Sequence, residues 1–214
     1  MSLHSAFSKR AIGLLAPRRV LYRGSGRVQQ IALTFDDGPH PEHTPLILEA
    51  LAAAKATATF FLQGSQAARY PDLVRAIHTQ GHQLANHAAS HRKPRELSTN
   101  AYVREVIDTQ ALLSDITAAA LPRVFRPPYG ETSLGSAAQL LRAGYRYVFW
   151  SRDSRDSWLK EPAALLSAFE RQPPQAGDIV LFHDDYAQTA SALPGLLRQL
   201  ARLRLSPVSI EALR

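Results

Sequence analysis

Short apolar runs rich in β-forming residues alternate with longer stretches of helical periodicity from residue 28 onward. This alternation is typical of βα units, so the sequence predicts an α/β fold with a mostly parallel, barrel-like sheet. The predicted strands are Gln30–Phe35, Thr57–Leu62, His82–Asn86, Arg123–Arg126, Tyr145–Ser151, Asp178–Phe182 and Ser206–Ile210. The predicted helices are Thr44–Lys55, Pro71–Gln80, Thr99–Ala119, Leu134–Ala143, Pro162–Arg171 and Ala190–Leu203.

The length and composition fit one globular domain. The chain has 214 residues, of which 45% are hydrophobic and 20% are charged. No repeat or linker divides the later part, which predicts one domain over residues 28–214 after a basic arm over residues 1–27. The apolar stretch Ala11–Ala16 is shorter than the ~7 to 15 residues of a signal-peptide core. We therefore expect no cleaved signal and no membrane span, with peripheral membrane contact through the arm as an alternative to a mobile or packed arm.

The net charge of the chain indicates which kinds of molecule the protein is suited to bind. The formal net charge is +7, and only four of the 25 basic residues are lysine. An arginine-rich surface suits phosphates, anionic lipid head groups or acidic glycans as partners, and a generally basic soluble protein is the alternative that is expected for most of these arginines. Nucleic-acid binding is not predicted, because the charge is not accompanied by an aromatic platform or a reader motif. The chain has no cysteine, so a bound metal would be held by histidine and carboxylate.

Five polar clusters follow predicted strands. In a βα barrel the carboxyl ends of the strands form the rim where catalytic groups from several strands meet. Residues that are far apart in the sequence are therefore expected to share one pocket. The clusters are Thr34–Pro39, His87–His91, Arg126–Gly130, Asp153–Trp158 and Leu181–His183.

Two adjacent carboxylates belong to the first cluster. Neighbouring side chains of a regular strand point to opposite faces, so Asp36 and Asp37 can share a site only if the backbone bends. The following Gly38-Pro39 supplies such a bend. The alternative is a plain turn in which the aspartates bond to nearby amides. The apolar strand before the pair favours the functional interpretation.

Two histidines four residues apart form the second cluster. The spacing of His87 and His91 places both imidazoles on one side of a helical turn or compact loop, as many zinc sites require. Eight histidines in the chain make an accidental pair plausible. One carboxylate added to the two histidines gives three protein ligands and leaves a position for water, which is typical of a catalytic site. Zinc, cobalt, nickel and iron all suit this set of ligands.

The five clusters, in this order, resemble those of the polysaccharide deacetylase family, the NodB-homology enzymes of carbohydrate esterase family 4. The resemblance spans about Gln30 to Ile210. It implies a distorted (β/α) barrel with about seven parallel strands. It also implies a metal-dependent hydrolase that removes an acetyl group from a sugar, commonly the N-acetyl group of a glucosamine unit. The implied cofactor is one divalent ion, zinc in the first place.

The resemblance assigns roles position by position. Asp36 matches the general base, and the residues that match the metal ligands are Asp37, His87 and His91. His183 matches the acid that protonates the departing amine, which is too basic to leave unprotonated. Without the other motifs, His183 would be interpreted as a strand-end histidine capped by Asp184.

Other positions of the motifs support these groups. Arg126 matches the residue that orients the base, and Asp153 matches the residue that supports the charge of the acid histidine. The backbone N–H of Tyr129 matches the donor that stabilises the oxyanion of the tetrahedral intermediate. The residues expected to line the substrate pocket are Pro128, Trp158 and Leu181.

The sequence departs from the family pattern at three places. Ala88 stands where the family usually has serine or threonine, and Ser157 separates Asp156 from Trp158. The stretch Arg92–Glu96 after the second histidine is longer and more basic than usual. A basic loop beside the metal suits an anionic or carrier-linked sugar, and a plain solvated loop is the alternative.

Two alternative functions follow from the same residues. A carbohydrate O-acetyl esterase would use the same catalytic groups on an ester. A catalytically silent glycan-binding module would keep the pocket but lose a ligand, the base or the acid, and this chain retains all of them. The expected location is the cytoplasm, with membrane association as an addition, and the oligomeric state is not predicted.

Overall fold

The computed structural model describes residues 12–13 and 16–214. Residues 1–11, 14 and 15 of the predicted arm lie outside the described residues, so contact of the arm with a membrane stays a prediction. Among the helices that the structure describes, none combines the length and apolar character needed to cross a membrane.

The order of elements follows the predicted alternation. Every predicted strand and helix overlaps an observed one. Sequence analysis missed two short strands, Val20–Leu21 and Arg152–Asp153, and the short helix Gly64–Arg69. In the described residues the strands are β1 Val20–Leu21, β2 Gln30–Asp36, β3 Thr59–Leu62, β4 Gln83–Asn86, β5 Val124–Phe125, β6 Arg146–Val148, β7 Arg152–Asp153, β8 Ile179–His183 and β9 Ser206–Val208. The helices there are α1 His43–Ala53, α2 Gly64–Arg69, α3 Pro71–Thr79, α4 Thr99–Thr117, α5 Leu134–Arg142, α6 Pro162–Arg171 and α7 Ala187–Arg202.

The strands form one sheet in the order β1-β6-β5-β4-β3-β2-β8-β7, with β9 paired to β2. All pairings among the described residues are parallel. The predicted distorted (β/α) barrel is confirmed. The described residues contain nine strands instead of about seven, because β1 and β7 are only two residues long and too short to stand out in the sequence.

The sheet begins before the predicted domain boundary between residues 27 and 28. Val20 and Leu21 lie in parallel register with Tyr147 and Val148 of β6. The backbone N–H of Tyr147 donates to the carbonyl of Arg19 at 2.8 Å. The part of the arm that contains β1 therefore belongs to the sheet.

The central strands are buried. Every residue of β2 after Gln30 and every residue of β3 is buried, as expected for parallel strands covered on both faces. The ring of Phe35 stacks on Phe60 and on Phe182, with centroid distances of 5.1 and 5.7 Å. Such aromatic pairs add about 0.5–1.5 kcal/mol beyond the burial of their area. This packing fixes β3, β2 and β8 as one rigid support.

The parallel register brings the functional strand ends to one rim. Asp36, the last residue of β2, lies opposite His183, the last residue of β8. Asp36 also lies opposite Phe61 of β3, and Asn86 at the end of β4 lies opposite Phe125 of β5. The polar clusters that follow these strands therefore start at the same edge of the sheet, as predicted.

Candidate active site

A triad of potential metal ligands lies at this rim. The Oδ1 atom of Asp37 is 3.0 Å from Nε2 of His91 and 3.4 Å from Nε2 of His87. One ligand atom from each of the three residues lies within 4.8 Å of the others. The structure therefore brings together the three residues that the sequence predicted as metal ligands.

A turn in the left-handed conformation brings the two aspartates into one site. Asp36 still belongs to β2, whereas Asp37 has a φ of 78°. Both residues then line the same cavity. A Cβ atom on Gly38 would lie 2.0 Å from the Oδ2 atom of the buried Asp184, so only glycine fits there. The bend was predicted at Gly38-Pro39, and the chain already turns one residue earlier.

The environment of His87 suits a metal ligand. Its Nδ1 atom lies 2.7 Å from the backbone carbonyl oxygen of Arg126, which can only accept a hydrogen bond. The proton therefore sits on Nδ1, and Nε2 presents its lone pair to the triad. Burial lowers the pKa of His87, although the charges of Asp36 and Asp37 act in the opposite direction. A neutral imidazole beside a carboxylate fits the donor set that a divalent metal requires.

The loop between the two histidines is anchored without a hydroxyl at position 88. Ala88 is fully buried against an apolar cluster that includes Phe125, and its backbone N–H donates to Oδ1 of Asn86 at 2.9 Å. Asn86 in turn donates to the carbonyl of Val106 at 2.7 Å. These contacts hold the loop in place although Ala88 has no hydroxyl group to donate or accept a hydrogen bond.

Gln63 is a site residue that sequence analysis missed. Its Nε2 atom donates to Oδ1 of Asp37 at 2.8 Å. This is the same oxygen that faces His87 and His91. The signal in the sequence was its position directly after β3, where a polar side chain reaches the catalytic rim.

Arg126 holds Asp36. The guanidinium is fully buried, and Nη1 donates to Oδ1 of Asp36 at 2.6 Å and to Oγ1 of Thr34 at 2.8 Å. The Nε and Nη2 atoms donate to the carbonyls of Val148 and Phe149. The predicted contact with Asp36 is confirmed. The Oδ2 atom of Asp36 stays on the side of the triad, 3.8 Å from Nε2 of His87.

The prediction for Asp153 is wrong, because Asp156 takes the position beside His183. The Oδ1 atom of Asp156 lies 2.8 Å from Nδ1 of His183, and its Oδ2 atom accepts the backbone N–H of His183 at 2.7 Å. Thr189 donates to the same Oδ2 atom at 2.8 Å. Asp153 is exposed in β7, and among the residues that the structure describes its carboxylate accepts only the nearby N–H of Arg155, at 2.8 Å. A left-handed turn at Arg155, with a φ of 61°, carries Asp156 beneath the histidine.

The pKa of His183 is shifted toward the protonated form. Burial acts to lower it, but the hydrogen bond and the charge of Asp156 outweigh burial and raise the pKa to about 9. The negative charges of Asp36 and Asp37 raise the pKa of His183 further. A protonated imidazole at neutral pH has the state that a general acid needs.

The site opens into a cavity of about 370 Å³. The predicted Trp158 and Leu181 line it, and Trp158 is 81% exposed, so it stands at the mouth. The prediction for Pro128 is wrong, since this residue is buried and the two residues after it reach the cavity instead. Sequence analysis missed Trp150 and Tyr186, which also line the cavity.

Tyr129 lies beside the metal triad. It has a φ of 58° within the short turn Pro128–Gly130, and its side chain lines the cavity. The ring packs against His91 with centroids 4.5 Å apart. The residue is thus placed at the site as predicted, and the role of its backbone N–H stays a prediction.

Comparisons with known proteins give one consistent family. Residues 23–148 match the sequence model described as polysaccharide deacetylase. A peptidoglycan-N-acetylglucosamine deacetylase of Bacillus cereus is 34% identical over 188 residues, which are 86% of this chain and 87% of that protein. A chitooligosaccharide deacetylase of Bradyrhizobium sp. is 35% identical over 175 residues, which are 82% of this chain and 79% of that protein.

Solved structures agree with the sequence comparisons. The crystal structure of the Bc1960 peptidoglycan N-acetylglucosamine deacetylase superposes with a TM-score of 0.87 and 27% identity. The superposition covers 94% of this chain and 95% of that one.

Proposed function

The chain belongs to the polysaccharide deacetylase family, and from this premise we propose that it is a metal-dependent hydrolase that removes the acetyl group from an N-acetylglucosamine-type unit of a glycan. The observation that carries the proposal is one cavity lined by a metal triad, a second carboxylate and a histidine paired with an aspartate. These are the groups that amide hydrolysis with a metal requires.

Asp37, His87 and His91 would hold one divalent cation. Zinc is the proposed ion, and cobalt, nickel and iron suit the same donors. The fit rests on the free Nε2 lone pair of His87 and on the short distances from both imidazoles to one carboxylate oxygen. Such a cation, when bound, lowers the pKa of water and polarises the acetyl carbonyl.

Asp36 is proposed as the general base. Arg126 holds its Oδ1 atom at 2.6 Å, which fixes the orientation of the carboxylate. Oδ2 remains directed toward the triad and can accept the proton of the attacking water. Arg126 acts as a positioning residue, because it touches the base and not the substrate.

His183 is proposed as the general acid. Asp156 binds Nδ1, so Nε2 faces the cavity and can pass its proton to the nitrogen of the breaking amide bond. The register pairs Asp36 with His183 on neighbouring strands. This pairing places a base and an acid side by side at the rim, where one removes a proton and the other supplies one.

The cavity walls are proposed to bind the acetyl group. Leu181, Trp150 and Trp158 provide apolar surface for the methyl group. The backbone N–H of Tyr129 is proposed to stabilise the oxygen that becomes negative when water adds to the carbonyl. The relatives that act on peptidoglycan and on chitooligosaccharides share N-acetylglucosamine as the acetylated sugar, which supports this substrate unit.

Acetate release tests the proposal. The protein is freed of metal with a chelator, reloaded with zinc or cobalt, and offered chitooligosaccharides, peptidoglycan fragments and acetylated xylan. We expect acetate from an N-acetylated glycan only after reloading. Release from acetylated xylan alone would identify an O-acetyl esterase instead, and no release from any substrate by metal-loaded protein would contradict the proposal.

A further inference from the structure

Two sets of packed side chains, each a histidine, a tyrosine and a lysine, stand at the mouth of the cavity. We call each set a stack, although the histidine and tyrosine rings are tilted to each other by 51° in one and 53° in the other. Each stack begins with a proposed functional histidine, continues with a tyrosine that lines the cavity, and ends with a lysine above the tyrosine ring. One stack lies on the metal side and the other on the side of the acid. The proposed function assigns no role to the two lysines.

The first stack contains His91, Tyr129 and Lys93. The rings of His91 and Tyr129 are 4.5 Å apart. The ammonium nitrogen of Lys93 lies 4.6 Å from the centre of the Tyr129 ring. Lys93 belongs to the basic stretch after the second histidine, and its backbone N–H is held by the carboxylate of Glu96 at 3.2 Å. The loop thus presents the ammonium group at the edge of the metal site.

The second stack contains His183, Tyr186 and Lys160. The rings of His183 and Tyr186 are 5.4 Å apart. The ammonium nitrogen of Lys160 lies 5.3 Å from the centre of the Tyr186 ring and donates to the carbonyl of Ser157 at 2.9 Å. An ammonium group has three donors, so this bond leaves two of them for a ligand.

The two lysines are distinctive for their position and for their lack of acidic partners. Only four lysines occur among the 25 basic residues of the chain, and two of them lie over tyrosine rings that line this cavity. In the part of the chain that the structure describes, neither Lys93 nor Lys160 forms an ion pair with a carboxylate. Packing against tyrosine rings restricts each side chain while the charge remains uncompensated.

We propose that Lys93 and Lys160, on the two sides of the cavity mouth, each attract oxyanions carried by the glycan near the acetylated sugar, so that the site prefers anionic glycans to neutral ones. The inference rests on the proposed function and narrows its substrate class. A carboxylate on a neighbouring sugar and a phosphate linked to the sugar present the same chemistry, and lysine binds both as a point charge. The lysines act on specificity and do not touch the reacting atoms.

Three substrates separate the neutral case from the two sources of charge. A chitooligosaccharide is neutral, a peptidoglycan glycan strand freed of its stem peptides carries the free lactyl carboxylate of muramic acid, and UDP-N-acetylglucosamine carries a diphosphate. For the metal-loaded protein we expect a higher kcat/KM for one of the anionic substrates than for the neutral one. The preference should weaken as salt is raised through about 0.1 M, where the screening length is ~10 Å. The substrate with the larger preference identifies the source of the oxyanion.

Methionine variants test the lysines directly. Methionine keeps an unbranched apolar stem on the tyrosine ring and removes the charge. In the double variant Lys93→Met with Lys160→Met, we expect the ratio of anionic to neutral kcat/KM to fall about tenfold, whereas arginine at both positions should keep it. Lys55→Met is the matched control, since Lys55 is exposed just beyond α1, and it should leave the ratio unchanged.

The outcomes separate this inference from the proposed function. An equal ratio in the wild type and the double variant, or a wild type without preference, would overturn the role of the lysines while leaving deacetylation intact. If no substrate releases acetate, the proposed function fails. The role of the lysines is then tested by measuring how tightly the anionic fragment binds. Tryptophan fluorescence should still report tighter binding of the anionic fragment by the wild type than by the double variant; equal binding would overturn the inference.

Discussion

Asp156 holds His183 with both of its carboxylate oxygens. Oδ1 lies 2.8 Å from Nδ1 of the imidazole, and Oδ2 accepts the backbone N–H of the same residue at 2.7 Å. One carboxylate therefore fixes both the ring and the backbone that carries it. The hydrogen bond also leaves Nε2 as the atom that faces the cavity, as an acid in proton transfer to the substrate requires.

The pH profile should report this pair. The pKa of His183 is raised to about 9, because the hydrogen bond and charge of Asp156 outweigh the opposing effect of burial. The acid is therefore protonated at neutral pH and loses its proton as the pH rises through about 9. Since Asp156→Asn removes the charge that raises the pKa, the alkaline limb of kcat/KM should move to lower pH.

The matched control for this prediction is Asp153→Asn. Asp153 is exposed, and the one hydrogen bond of its side chain within the described part of the chain is to the N–H of Arg155. Its replacement should leave the alkaline limb where the wild type has it. If Asp153→Asn moved the limb and Asp156→Asn did not, the assignment of the supporting carboxylate would be reversed.

The two adjacent aspartates should separate catalysis from metal binding. Asp36→Asn removes the base, and we expect kcat to fall about 10²–10⁴-fold while metal affinity is retained. Asp37→Asn removes a ligand, so it should weaken metal binding itself. Calorimetric titration of both variants with zinc, together with acetate release, measures the two effects. Loss of zinc binding in Asp36→Asn alone would show that the roles are exchanged.

Gln63 should tune the affinity for the metal. Its amide donates to the ligand oxygen of Asp37 at 2.8 Å and so restricts the carboxylate. Loss of such a supporting contact typically costs about 10–100-fold in metal affinity. We expect a decrease of this size for Gln63→Leu in a titration with zinc. Gln80→Leu, at an exposed position beyond α3, is the control, and an unchanged affinity in Gln63→Leu would refute the supporting role.

Arg126 should be essential for stability as well as for activity. Removing one partner of a buried ion pair leaves an uncompensated charge and typically costs about 3–5 kcal/mol. Arg126→Met leaves the buried carboxylate of Asp36 without its partner. The free energy of unfolding, measured in urea, should therefore fall by about 3–5 kcal/mol. A matched change at the exposed Arg123, Arg123→Met, should have a much smaller effect. Equal stability of both variants would contradict the assigned ion pair.

The sequence predicts the fold and most of the site because both depend on local patterns. Alternating β and helical periods indicate parallel βα units, and parallel strands must end at one rim. Polar residues directly after those strands therefore converge. Asp36, Asp37, His87 and His91 are found together for this reason. Arg126 reaches Asp36 from the end of β5, which β4 and β3 separate from β2 in the sheet.

The remaining features depend on backbone detail that residue types do not signal. Asp153 and Asp156 both follow the predicted strand Tyr145–Ser151, so the sequence does not distinguish them. The left-handed turn at Arg155 places Asp156 beside His183, and arginine has no preference for that conformation. The two-residue strand Val20–Leu21 is recognisable only by its pairing with β6. Gln63 could have been predicted, because it is the first residue after β3, but sequence analysis did not consider this position.

Diffraction from crystals of the zinc-loaded protein, with anomalous data at the zinc edge, tests the central claim most directly. The account predicts one zinc peak bound by Asp37, His87 and His91, with Oδ2 of Asp36 and Nε2 of His183 facing the space beside it. A zinc ion bound elsewhere, or one that takes Asp36 as a ligand in place of Asp37, would contradict the account.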